Sequence, residues 1–113
     1  IISTRSKPEL RNMERYNAAR LVEAGVRVSV NTDAPVVPIE MLVTSAAICA
    51  QQGIDFDHTL DMLTCNAAKA AGIEDRVGSL APGMDADLLV FHEDPIGLLV
   101  KPQHVIVDGE EVS

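Results

Sequence analysis

The chain has 113 residues, enough for one small domain or a piece of a larger one, and its 47 % apolar content can supply a core. Nine Lys and Arg against 17 Asp and Glu give a net charge of −8, and aromatics are only 3 % with no Trp, a composition that excludes the basic, aromatic-rich face of a nucleic-acid binder. No apolar run approaches the ~20 residues of a membrane helix, and no basic leader with a cleavage pattern is present, so the expectation is a cytoplasmic α/β protein with no membrane partner.

Residues 1–6 read as a strand end or loop, and Ser6 is a candidate N-cap for a helix whose first turn holds Pro8. Leu10, Met13, Leu21 and Ala24 recur at helical spacing as its apolar stripe, and Gly25 stops it. Val26-Arg27-Val28-Ser29-Val30 alternates and is β-branched, which predicts a short strand. The polar loop Asn31-Thr32-Asp33-Ala34-Pro35 follows. A second helix is expected from Pro38 to about Gln52, closed by Gly53. It is apolar nearly all round, so it is expected to be buried on most sides. Asp55 is the expected N-cap of a third helix containing Leu60, Met62 and Leu63. Asn66 is the expected cap of a short fourth one, which Gly72 ends.

The composition changes at Val77. Ala81-Pro82-Gly83 places Pro and Gly where a type II turn needs them. Residues 87–91 read as a strand and 94–97 as a loop. The runs 105–107 and 110–112 flank Asp108-Gly109, the signal for a type I′ hairpin. The last third is therefore expected to be a small antiparallel β unit, with its boundary near residues 75–78. A single convincing strand before that boundary cannot make a sheet.

Charge is unevenly spread, with a net of +3 over residues 1–30 and −11 over residues 31–113. The acidic part reads as a solvated surface. The basic stretch Arg5, Lys7, Arg11 and Arg15 is either a solvated helix start or the neighbour of an anionic group. Asp33 is the most informative residue. It sits directly after a β-rich run and before a helix, the position at which a parallel α/β barrel collects catalytic groups. A carboxylate there can bind a divalent metal or act as a general base on water. The alternative is an Asx-type turn or a capping role in the Thr-Asp-Ala-Pro loop. His58, His92 and His104 share no metal-binding spacing and read as surface residues. Cys49 and Cys65 fall in apolar helical patterns and read as inert buried thiols of a reducing compartment.

Asn66-Ala67-Ala68 followed by Gly78-Ser79-Leu80-Ala81-Pro82-Gly83-Met84-Asp85-Ala86-Asp87, and the closing Val107-Asp108-Gly109-Glu110-Glu111-Val112, resemble the C-terminal signature of metal-dependent amidohydrolases. The upstream Val26–Val30 run leading to Thr32-Asp33-Ala34-Pro35 resembles the last barrel strand of that family and its aspartate. Ser6-Lys7-Pro8-Glu9-Leu10 and Val37-Pro38-Ile39 are similar to the imidazolonepropionase-related branch in particular. The resemblance covers nearly the whole chain.

It implies the C-terminal part of a (β/α)8 TIM barrel over residues 1–75 and part of the family's small β-sandwich domain over residues 76–113. It implies hydrolysis of amide or cyclic amide C–N bonds by a metal-activated water. Asp33 would be both metal ligand and catalytic carboxylate, and Arg5 and Lys7 would flank the substrate, a small-molecule amide. The cofactor implied is a divalent metal, zinc above all, in the full-length protein. The family's other ligands are histidines and a Lys, Glu or His on earlier strands, and none has a counterpart in this sequence. A barrel runs to about 250 residues, so the Ile1-Ile2 opening reads as a truncation within a longer frame. The isolated chain is then expected to be inactive, to hold no metal stably, and to form a homo-oligomer through its uncovered apolar faces. The competing reading is a non-enzymatic oligomeric assembly module derived from the same fold.

Overall fold

Asp55 starts a helix by the mechanism its side chain suggests. Its carboxylate accepts the backbone N–H of His58 at 2.9 Å, satisfying one of the donors that a helix N-terminus leaves unpaired. That helix belongs to a computed structural model that describes residues 16–97 and 100–113, together with Pro8 and Asn12. Ser6, Leu10 and Met13 lie outside the described residues, so the expected cap and the first half of the expected stripe do too. Within them the elements are α1 (Asn17–Glu23), a 3₁₀ turn (Ile39–Met41) leading into α2 (Leu42–Ala50), α3 (Phe56–Leu63), α4 (Cys65–Ala71), β1 (Leu88–Val90), β2 (His104–Val107) and β3 (Glu110–Glu111).

The core is made of Ala19, Val30, Ala46, Ile54 and Met62, with Ala18, Val22, Val28, Leu42, Cys49 and Leu63 packed against it. In α1 the residues that face it are therefore Ala18, Ala19 and Val22, three and four apart. Leu21 is 37 % exposed and Ala24 is exposed, so the described half of the expected Leu10–Ala24 stripe is not the buried face. In α2 only Ser45, Ala46 and Ala47 are fully buried, and the remaining residues are half-buried. No residue of α2 is exposed, and the three buried ones are consecutive, so they point in different directions around the helix, in keeping with the expected burial on most sides.

The expected strand at Val26–Val30 forms no ladder among the described residues. A ladder needs a second strand, and the described strands all pair with one another. The segment nevertheless keeps the two-residue alternation of a half-buried strand: Val26 is 48 % exposed, Val28 half-buried, Val30 buried, Ser29 exposed. Its main chain is satisfied by helices instead. The Val30 N–H donates to Met62 O at 3.2 Å, and Val28 O accepts from Asn66 Nδ2 at 3.0 Å. Asn66 is consequently not the cap of α4. Thr64 occupies that position, and the Asn66 side chain is committed to the distant carbonyl. Gly72, left-handed at φ 72°, closes α4, and Ile73 N–H returns to Ala68 O at 3.1 Å in a Schellman-type ending.

The C-terminal residues run as an antiparallel meander, β1-β2-β3, with Leu88 opposite Ile106 and Val107 opposite Glu110. Asp108 and Gly109 both have positive φ, 51° and 80°, as the type I′ turn requires. Met84 N–H donates to Ala81 O at 3.2 Å around Pro82-Gly83, closing the expected turn. The segment before the sheet is anchored to α4 at Gly78. A Cβ there would lie 2.7 Å from the Ala68 Cβ and 3.1 Å from the Cys65 Cα, so only glycine fits.

Candidate functional site

The segment carrying Asp33 is fixed by local hydrogen bonds that follow from its composition. Asn31 Oδ1 accepts the Asp33 N–H at 2.8 Å, the side-chain-to-backbone bond that Asn makes readily two residues ahead. Asp33 itself is left-handed at φ 55°, a region that Asp tolerates better than most residues. The Ala34–Pro35 peptide is cis, and Val36 N–H donates to Asp33 O at 2.9 Å, which folds the chain back before the 3₁₀ turn. Thr32 is buried beneath, while Asp33 is exposed.

The Asx-type turn in the loop is made by Asn31. Among the described residues no partner lies within hydrogen-bonding or ion-pairing distance of the exposed Asp33 carboxylate. From sequence alone, Asn31 has no role of its own and Asn66 only a capping role. The Asn two positions before Asp33 was a usable signal. The tie from Asn66 to Val28, 38 positions apart, has no local signature.

A metal ion does not fit the described residues by themselves. No group of three or more His, Cys, Asp or Glu side chains comes together among them. A catalytic zinc needs about three protein ligands, and Asp33 supplies one carboxylate. Arg5 and Lys7 lie outside the described residues.

Two of the three histidines pair with carboxylates away from Asp33. His58 Nδ1 lies 2.9 and 2.8 Å from the two Asp55 carboxylate oxygens. The backbone N–H of His58, and then its ring, hold the Asp55 carboxyl below its usual range. His104 Nδ1 pairs with Glu111 across the hairpin. Both cysteines are free and half-buried. Burial pushes both thiols up from the ordinary range, which favours the protonated form. Two shallow clefts of about 230 and 240 Å³ flank His58, bounded by Val22 on both sides. Asp33 lines neither; Glu23, Asp55 and His58 line the first, and Arg27, His58, Asp61 and Asn66 line the second.

Known proteins resemble this chain in sequence and fold. The amidohydrolase family matches residues 4–112. The fold superposes on an amidohydrolase from Thermotoga maritima MSB8 with a TM-score of 0.89 and 37 % identity, over 99 % of this chain and 29 % of that one. An imidazolonepropionase from Chloroflexus aggregans is 32 % identical over 114 residues, which is 87 % of this chain and 27 % of the relative. One from Geobacillus kaustophilus is 37 % identical over 81 residues, 67 % of this chain and 19 % of the relative. The chain therefore spans between about a fifth and three tenths of the length of these proteins.

Proposed function

The chain belongs to the amidohydrolase family and is related to the imidazolonepropionases, and on that premise we propose that it forms the C-terminal part of a hydrolase acting on amide or cyclic amide C–N bonds. Residues 1–75 then belong to the end of the barrel, and residues 76–113 to the β domain. The alternating burial of residues 26–32 and the β1-β2-β3 meander support that division. The observation that carries the functional reading is the Asp33 carboxylate. It stands exposed and without a described partner, on a turn held by Asn31, directly after a segment with strand-like alternation.

In this reading Asp33 accepts a proton at a carboxylate oxygen as water attacks the carbonyl carbon. Its pre-set loop limits the reorganisation that proton transfer requires. The family's metal would need ligands beyond the described residues, so no step is assigned to it. Arg5 and Lys7 are proposed to face a substrate carboxylate. The free thiols favour a reducing, cytoplasmic compartment, and among the described residues no helix is long and apolar enough to cross a membrane.

Self-association is also proposed. Val36 is 73 % exposed, Ile39 68 % and Leu80 85 %. Sedimentation at micromolar concentration is expected to give species heavier than the 12.1 kDa monomer, and a purely monomeric boundary contradicts it. The function is tested by assaying the chain alone and the chain joined to the remainder of the Thermotoga amidohydrolase, in place of the segment it superposes on, against N-acyl amino acids, dipeptides and a cyclic amide. The joined protein is expected to turn over an amide, and the chain alone neither to turn over nor to retain stoichiometric zinc. Turnover by the 113-residue chain with bound zinc would overturn the composite-site reading.

A further inference from the structure

We propose that Asn66 is a positioning residue for Asp33, acting through its hydrogen bond to the Val28 carbonyl to set where the 26–33 segment delivers that carboxylate. The inference rests on the reading of Asp33 as the site's carboxylate. Its geometric content stands independently of that reading.

Three contacts restrain the segment in sequence. Asn66 Nδ2 holds Val28 O at 3.0 Å, Met62 O holds Val30 N–H at 3.2 Å, and Asn31 Oδ1 holds Asp33 N–H at 2.8 Å. The first two come from α4 and from the end of α3, so they tie the segment to the helical core. The third is internal to the loop. Val30 and Thr32 in the same stretch are buried, so close packing adds to these restraints. With no strand beside Val28 among the described residues, Asn66 supplies the partner that a ladder would otherwise provide.

The residue type matters. Asn reaches the carbonyl with a donor, whereas Asp in the same place presents an acceptor to an acceptor. Ala leaves the half-buried carbonyl without its partner. Gln retains the donor on a stem one methylene longer. These differences make the proposal separable from a general packing role, which would treat the loss of Asn66 as a loss of volume.

The test is amide hydrogen exchange, read residue by residue by NMR on the full chain and its Asn66→Ala, Asn66→Asp and Asn66→Gln variants. Val30 and Asp33 amides are expected to exchange about tenfold faster in the Ala and Asp variants. The Gln51 amide at the end of α2 and the Val112 amide in the hairpin should stay within about twofold, and Gln should restore part of the protection. Equal acceleration at all four amides, or none at Val30 and Asp33, overturns the proposal. Should the substitutions prevent folding, the unmodified chain still decides it. The Asn66 side-chain amide protons must exchange more slowly than those of exposed Gln51, and equal rates overturn the assignment. Exchange involves no catalysis. A dispensable Asp33 would therefore remove the functional reading and leave this pattern intact.

Discussion

The Val30 N–H donates to the Met62 carbonyl at 3.2 Å, joining the segment that ends in Asp33 to the last turn of α3. Met62 is 1 % exposed and is among the largest fully buried side chains described. The same residue therefore fills the core with its side chain and restrains the site segment with its backbone. Met62→Ala removes the side chain and leaves a cavity beneath Val30. We expect a loss of about 2–5 kcal/mol in urea unfolding. A loss under about 1 kcal/mol would mean the core collapses freely around position 62.

Gly78 is the close approach between the segment leading to the sheet and α4. It has a left-handed φ of 95°, and a Cβ there meets the Ala68 Cβ at 2.7 Å. Gly78→Ala is expected to cost about 2–3 kcal/mol from overpacking and backbone strain combined. Gly83→Ala, where nothing lies within 4 Å of the added Cβ, should carry the backbone cost alone. Thermal unfolding of the two variants side by side reads the difference, and equal melting temperatures would contradict the packing account.

Acidification should loosen the start of α3. The Asp55 carboxyl is held below its ordinary value of 3.8 by the His58 backbone N–H and then by the His58 ring. A lowered carboxyl value means the folded state favours the carboxylate. Its stabilisation is present above the unfolded value and is lost as pH falls through the folded one. The melting-temperature gap between the native chain and Asp55→Asn is therefore expected above about pH 4 and should close below it. A gap that persists unchanged at pH 2 contradicts this.

Signals confined to a few neighbouring residues were legible in the sequence. Asp55 caps α3, Gly72 stops α4, Pro82-Gly83 turns the chain and Asp108-Gly109 closes the hairpin, each through backbone preferences set by its own side chain. What depended on distant partners was not. Val26–Val30 has strand composition, yet pairing needs a neighbour, and its hydrogen bonds pass to Met62 and Asn66 instead. Asn66 carries a capping residue's chemistry but spends it 38 positions away. The buried face of α1 is set by which residues meet the core in three dimensions, and these are Ala18, Ala19 and Val22 rather than Leu21. For the site, Asp33 could be singled out from its place after a β-branched run, whereas Asn31's role in presenting it becomes visible only with the turn geometry.

The proposed function turns on Asp33 being the carboxylate that this chain contributes to amide hydrolysis. The direct measurement is kcat/KM for the chain joined to the remainder of the Thermotoga amidohydrolase, with Asp33 intact and as Asp33→Asn, a substitution that preserves size and the Asn31 bond to the backbone. Removing a proton-accepting group predicts a fall of about 10²- to 10⁴-fold, with unfolding midpoints unchanged. Equal kcat/KM for the two proteins would contradict the account.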